Sequence, residues 1–153
     1  MITSQNHRES EHQDKIKQLN IFLGKWRIEG KNLPVPPNNV ENEVSGEDNY
    51  AWLEGQFFII DNWQHLAKGS DHIGITILGY DIESQEFFTR NFDNLGFERR
   101  YVLQQQDNLW NFIGSNERAT RRFDNQGKTY EEHWEIFVDN KWIPLCIMRG
   151  TKI

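Results

Sequence analysis

Arginines set among alternating apolar residues are the side chains in this sequence best suited to binding chemistry. Arg90 alternates with Phe88 and Phe92, and Arg99 alternates with Tyr101. A guanidinium removed from water binds a carboxylate or phosphate through two parallel hydrogen bonds. If these faces line the inside of a barrel, we expect the arginines to hold the acidic group of an amphipathic ligand. The candidate arginines are Arg90, Arg99, Arg121 and Arg149. Tyr101 lies on the same strand face as Arg99 and is a further candidate for the lining.

The same arginines also fit the outer face of a sheet. Glu132 lies two residues from Trp134, on the strand face that matches Arg121, and is placed to neutralise it. Cross-strand pairs of arginine and glutamate are common on solvated sheets. A period of two separates the two faces of a strand, but it does not say which is inside when both carry aromatics. Both interpretations of the arginines therefore stay open.

Histidines inside predicted strands give a catalytic alternative. His72 and His133, with Glu132 or Tyr101, could move a proton in a cofactor-free isomerase or cyclase. No HxH, HExxH or CxxC spacing occurs, so neither a metal site nor a cofactor is predicted. Cys146 lies between two large apolar residues, where we expect a buried, inert thiol.

Short alternating segments separated by turns must position these side chains. Asp-Asn pairs recur between aromatic-rich segments, at 93–94, 107–108, 124–125 and 139–140. Ten strands are predicted, over 23–30, 43–53, 56–65, 72–80, 86–92, 97–104, 109–115, 117–123, 129–138 and 142–150. Closing an up-and-down meander into a ring removes its two exposed edges. The fold class is therefore predicted to be all-β, a ten-stranded antiparallel up-and-down barrel. A ring of this size should enclose a cavity, with Trp26 and Trp134 in its wall.

The N-terminal region is predicted to contain the only helix. Residues 1–12 are polar and charged, which indicates a flexible tail, and 13–153 form a single domain. Ile16, Leu19 and Leu23 fall on one helical face, and Gly24 stands where the helix would end. The proline-rich segment 31–42 is predicted to be a surface loop.

Composition limits the partners. The net charge of −6 argues against binding nucleic acid. No apolar run approaches the length of a membrane span, so no membrane insertion is expected. With one cysteine and no leader-like N-terminus, the protein is predicted to be cytoplasmic. Composition is compatible with a homodimer formed through an outer apolar strand face.

Several short motifs resemble a known family. The motifs are Leu23-Gly24-Lys25-Trp26, Gly79-Tyr80-Asp81, Asp93-Asn94-Leu95-Gly96 and the Asp-Asn-Lys-Trp turn that leads to Arg149. They resemble a widespread bacterial family of uncharacterised small barrels, a domain of unknown function. That family is similar in architecture to the calycins, the superfamily of lipocalins and fatty-acid-binding proteins. The resemblance implies a barrel whose lumenal arginines hold an acidic ligand group.

The Gly-Lys-Trp opening is also similar to the Gly-x-Trp opening of lipocalins and of haem-binding nitrobindin-like barrels. Here the last strand offers Cys146 and Met148 but no histidine, so haem is not expected. The leading hypothesis is a barrel that binds or carries a small hydrophobic or amphipathic, acidic molecule. The alternatives are the cofactor-free enzyme and an interaction module whose cavity is plugged by its own aromatic side chains.

Overall fold

The protein is a closed β-barrel preceded by a helical segment. The computed structural model describes residues 4–37 and 39–153. Helix α1, Ser4–Ile16, runs into a 3₁₀ helix, Lys17–Phe22. The ten strands are β1 Gly24–Asn32, β2 Asn42–Trp52, β3 Ile59–Ala67, β4 Ser70–Asp81, β5 Glu86–Asp93, β6 Glu98–Gln106, β7 Leu109–Ile113, β8 Glu117–Phe123, β9 Thr129–Val138 and β10 Lys141–Lys152.

Every strand pairs antiparallel with its neighbour in sequence, and β1 closes the ring against β10. At the closure Trp26 lies opposite Lys152 and Asn32 lies opposite Cys146. Closure leaves no strand edge unpaired. The prediction of an all-β, ten-stranded antiparallel barrel with one short N-terminal helix is confirmed, and no strand end is displaced by more than three residues.

The helical segment begins earlier than the sequence indicated. It starts at Ser4, within the segment 1–12 that was predicted to be a tail. Residues 1–3 of that tail, and Asn38 of the predicted loop, lie outside the described residues. His12 is buried, and its Nε2 donates to the carbonyl oxygen of Tyr80 at 2.9 Å. This bond ties the helix to the end of β4.

One end of the barrel is filled by aromatic rings, which we call the closed end: Phe22, Trp26, Trp110, Phe123 and Tyr130. The ring of Phe22 lies 5.0 Å from that of Trp110 and 5.4 Å from that of Phe123. The indole N–H of Trp26 donates to the carbonyl oxygen of Phe22 at 2.8 Å. Such edge-on contacts between large buried rings stabilise a core beyond the burial of their area. The 3₁₀ helix therefore acts as a plug at this end.

Within the described ranges, no helix is both long enough and apolar enough to cross a membrane.

Candidate ligand-binding site

The other half of the barrel is hollow. It holds a cavity of about 430 Å³ whose lining comes from inward side chains of all ten strands. This volume lies within the roughly 300–1,000 Å³ typical of small-molecule pockets. We call this half of the barrel the open half.

A buried ion pair lines the cavity where it meets the closed end. Arg121 and Glu132 are direct cross-strand neighbours on β8 and β9, and the Nε of Arg121 donates to the Glu132 carboxylate. Arg121 also donates to the Tyr50 hydroxyl at 3.1 Å, and the other Glu132 oxygen accepts the Trp134 indole N–H at 2.6 Å. Burial would lower the pKa of Arg121, but Glu132 and neighbouring tyrosines keep that pKa well above its usual value. The guanidinium is therefore charged and already paired.

Five hydrogen-bonding side chains form a line across neighbouring strands, which we call the polar row: Tyr50, Asp61, Thr76, Asn91 and Arg99. Each is the register partner of the next, from β2 through β6. All five line the cavity. Because register partners lie side by side on one face of a sheet, one wall of the cavity is polar along its whole width.

Asp61 is the acidic member of the polar row, and its charge has no ion-pair partner among the described residues. Its side chain accepts the backbone N–H of Asn49 at 3.0 Å, and the residue is only 2% exposed. Burial, and then the charge of Asp48, raise the pKa of Asp61 well above its usual value. Arg121 acts in the opposite direction, but its charge is already shared with Glu132. A carboxyl in this setting favours its neutral form.

Two histidines stand side by side at the mouth of the cavity. His65 and His72 are register partners on β3 and β4. The Nε2 of His65 lies 2.7 Å from Asp48, and that of His72 lies 2.9 Å from Asp93. The Trp63 ring contacts both imidazoles, at 5.2 and 4.8 Å between ring centres. Each imidazole is thus oriented by a carboxylate and an aromatic ring.

Trp63 lies flat against the wall because its cross-strand neighbour is Gly74. A Cβ added at Gly74 would lie 2.4 Å from the Trp63 ring, so this position has to be glycine. The indole N–H donates to Thr76 Oγ1 at 3.0 Å. The orientation of this ring in the cavity wall is therefore fixed from two sides.

Asp93 anchors the second arginine of the cavity. Its carboxylate lies 2.7 Å from Arg99 and accepts the backbone N–H groups of Leu95 and Phe97, each at 3.0 Å. Burial alone would raise the pKa of Asp93, but the bonds from His72, Phe97 and Arg99 hold that pKa well below its usual range. Arg99 thus resembles Arg121 in having a carboxylate partner inside the protein.

Tyr101 belongs to the same group of side chains. Its hydroxyl donates to Glu117 at 2.6 Å, and the Nε of Arg99 lies 3.7 Å from the same carboxylate. Burial and this bond raise the pKa of Tyr101 well above its usual value. The phenol therefore stays protonated and serves as a hydrogen-bond donor in the wall.

A family model describes most of the chain. Residues 10–131 match the model of a protein family of unknown function, DUF1579. The chain belongs to the DUF1579 family. No curated protein matches it in sequence.

Solved structures show the same fold in distant proteins. Rv2717c from M. tuberculosis has a TM-score of 0.65 and 13% identity, and the match covers 90% of this chain and 96% of that one. The S-type phycobiliprotein lyase CPES from Guillardia theta has a TM-score of 0.56 and 10% identity, and the match covers 90% and 91% of the two chains. At such identities the likeness concerns the fold alone.

Four of the seven side chains predicted to line the cavity do so. They are Arg99, Arg121, Tyr101 and Trp134. Trp26 does not, because it lies fully buried in the closed end. Whether any of these residues binds a ligand stays a prediction.

Arg90 lies on the outer face of β5, contrary to expectation. It is 2.6 Å from Glu98, and its guanidinium lies over the Phe92 ring. The residues of β5 that face the cavity are polar and include Thr89 and Asn91. Because the apolar face of β5 is the outer one, the assumption that arginine among aromatics faces the lumen is wrong for this strand.

Arg149 lies outside the barrel because of a β-bulge. The register between β9 and β10 shifts between Pro144 and Cys146, and both Leu145 and Cys146 line the cavity. An extra residue at a bulge inverts the alternation that follows it. Met148 therefore faces inward and Arg149 is exposed.

The residues suggested for catalysis are dispersed. His133 is exposed on the outer face of β9, whereas His72 lines the cavity. Glu132 and Tyr101 are occupied by the bonds described above. Cys146 is a buried thiol whose pKa is raised by that burial. Among the described residues, no three His, Cys, Asp or Glu side chains are grouped as metal ligands.

Sequence reasoning missed the carboxylates and part of the mouth: Asp48, Asp61, Trp63, His65 and Asp93. A signal existed, since Asp61, Trp63 and His65 are spaced by two within one predicted strand. Side chains at that spacing share a face. Asp93 was interpreted only as a turn residue, although it both caps the turn and holds Arg99.

Proposed function

We propose that this protein binds a small amphipathic molecule inside the barrel. The observation that carries this proposal is a cavity of about 430 Å³ with the polar row on one wall. Much of the remaining lining is apolar and includes Phe112, Trp134, Leu145 and Met148. A concave, mostly apolar site with a few fixed polar groups suits a small ligand. A plugged interaction module lacks such a space, so we do not favour that alternative.

The pairing of the arginines changes the expected head group of the ligand. Arg121 is bonded to Glu132 and Arg99 to Asp93, so the positive charge of each arginine is already balanced by a carboxylate. Bringing another anion beside a neutralised buried pair incurs a desolvation cost without a new partner. An acidic head therefore has less support than the sequence suggested, and a neutral or positively charged polar group has more.

A matched pair of substitutions tests cavity binding. Ala67 lines the mouth of the cavity, whereas Ala51 is exposed on the outer face of β2. We expect wild type and Ala51→Trp to bind the neutral fluorescent probe N-phenyl-1-naphthylamine saturably. Ala67→Trp should weaken that binding by about tenfold or more, because the indole occupies the entrance. Fluorescence titration measures all three.

Two results would count against the proposal: no saturable probe binding by the wild type, or equal binding by Ala67→Trp and Ala51→Trp. Native mass spectrometry of the protein purified from its own source gives an independent check. A bound small molecule, released when the protein is denatured, is the expected result.

A proton-transfer enzyme is the second candidate, and the His72–Asp93 pair at the mouth favours it. A carboxylate-oriented imidazole is a common general base. Incubating the protein with its released ligand and following the ligand mass and retention time by chromatography tests this candidate. Conversion that is lost in His72→Gln while binding persists would support an enzyme, and an unchanged ligand would exclude it. Cytoplasmic location and homodimer formation stay predictions.

A further inference from the structure

The cavity wall carries more negative than positive groups. Among the residues that the structure describes, five carboxyl side chains line it against two guanidiniums. Glu132 is matched by Arg121, while Arg99 lies near two carboxylates, those of Asp93 and Glu117. The carboxyl of Asp61 accepts the backbone N–H of Asn49 and is hydrogen-bonded by the Tyr50 hydroxyl, and both of these donors are uncharged.

Two further polar atoms of the cavity wall, both on β5, lack partners. Thr89 Oγ1 and Asn91 Oδ1 are buried and have no hydrogen-bond partner among the described residues. Both residues line the cavity from β5, and Thr89 is only 2% exposed. Asn91 belongs to the polar row, two strands from Asp61. Buried polar atoms are nearly always satisfied in native proteins, so unpartnered ones that face a cavity mark positions where a bound molecule can form hydrogen bonds.

Aromatic rings face the same space. Trp63, Tyr101, Phe112 and Trp134 all line the cavity. The faces of such rings attract a cation, and the attraction is stronger away from bulk water. A carboxyl group in a cavity lined by several aromatic rings is a combination that recognises a nitrogen cation better than it recognises an anion.

We propose that the open half of the barrel binds a ligand with a positively charged nitrogen group, such as an amidinium or a protonated amine. Asp61 binds the cationic N–H groups, and Asn91 Oδ1 and Thr89 Oγ1 accept further donors from the ligand. This inference rests on the proposed function, because it names the chemical class of the ligand that the cavity would take.

Burial raises the pKa of Asp61, so that without a cation beside it the carboxyl favours its protonated form. An arriving cation replaces that proton and removes the cost of holding a buried charge alone. Neither paired arginine has to be displaced. The same reasoning predicts that an anion of equal size and shape gains no comparable partner.

A charge series on one ring tests the inference without any substitution. Benzamidine, benzamide and benzoate share a benzene ring and differ in carrying a positive, neutral or negative head. We expect benzamidine to bind wild type at least about tenfold more tightly than benzamide, with benzoate the weakest. Competition against N-phenyl-1-naphthylamine, confirmed by calorimetry, measures the order.

Two aspartate variants locate the effect. Asp61→Asn keeps an oxygen for the Asn49 N–H but removes the charge, and we expect it to abolish most of the preference for benzamidine. Asp71→Asn is the control, because Asp71 is exposed on β4 and does not line the cavity. Thr89→Val provides a second variant with little change in volume, and a loss of several-fold in benzamidine affinity is expected. Circular dichroism checks that each variant is folded.

The outcomes separate the two proposals. If wild type binds the neutral probe but shows no preference for benzamidine, or prefers benzoate, the inference is overturned and the binding cavity stands. A preference that survives in Asp61→Asn would also overturn it. If the wild type binds neither the probe nor any of the three compounds, the proposed function itself fails.

Discussion

The two ends of the barrel are built from the same ten strands but carry opposite chemistry. In the closed end, alternation places aromatic rings inside, and Phe22 and Trp26 are fully or almost fully buried. In the open half, the same alternation places carboxylates, imidazoles and amides inside, and Asp61 lies on the strand that begins with the fully buried Ile59. In such a barrel the packed aromatic end supplies much of the folding stability. The other end can then hold buried polar groups, which lower that stability.

The difference shows where substitutions should act. Residues of the closed end fill space, so their removal creates cavities. Residues of the open half are paired through opposite charges and hydrogen bonds. Removing one of them therefore leaves its partner buried without that charge or hydrogen bond. The three predictions below test this contrast, beginning with the largest effect.

Trp26→Ala should give the largest loss of stability. The ring is fully buried against Phe123 and Tyr130, and its N–H donates to Phe22. Truncating such a ring lowers the free energy of unfolding by about 3–5 kcal/mol. Urea unfolding measures the change. Trp142→Ala is the matched control, since Trp142 lies on the outside over Arg118 and should change the free energy of unfolding far less. Similar losses for the two variants would contradict the division between the ends.

Arg121→Met should cost nearly as much for a different reason. It leaves the buried carboxylate of Glu132 without its cation, and breaking a buried pair costs about 3–5 kcal/mol. The double variant Arg121→Met with Glu132→Leu should recover much of that loss in urea unfolding. Arg90→Met, which breaks an exposed pair with Glu98, should be close to wild type. A double variant as unstable as the single one would show that the charge pair is not the cause.

The smallest effects should have opposite signs at Asp93 and Asp61. Because the pKa of Asp93 is lowered by folding, its ionised form stabilises the protein above the unfolded value near pH 3.9, and that contribution is lost as pH falls through the lower folded value. Asp93→Asn should therefore lower stability at neutral pH by about 1–3 kcal/mol, with the gap closing in acid.

For Asp61 the pKa is raised, so its contribution is present below about pH 3.9 and is lost as pH rises toward the folded value. Asp61→Asn should then be at least as stable as wild type at pH 7 and lose that advantage in acid. Urea unfolding of both variants at several pH values gives the comparison. Two curves that move in the same direction with pH would refute this account of the cavity wall.

Much of the fold was readable from local pattern. Alternation with a period of two, together with recurrent Asp-Asn turns, predicted the ten strands, and the helical spacing of Ile16, Leu19 and Leu23 predicted the N-terminal helix. The pairing of Arg121 with Glu132 was foreseen from their matching strand faces, but within the interpretation that placed both on a solvated outer face, whereas the pair is buried. Which face of each strand points into the barrel was harder to predict. Arg90 and Arg149 were assigned inward because apolar neighbours normally mark a core, whereas the part of β5 that lines the cavity is polar.

The sequence by itself determined the strands and their order, because these depend on spacing and on turn residues close together in the chain. Tertiary structure alone decided which side chains meet inside. Arg121 reaches the hydroxyl of Tyr50, 71 positions away in the chain, and the bulge after Pro144 reverses a face within one strand. Such contacts depend on how the ring closes and on one local shift of register, and neither leaves a mark in the spacing of nearby residues.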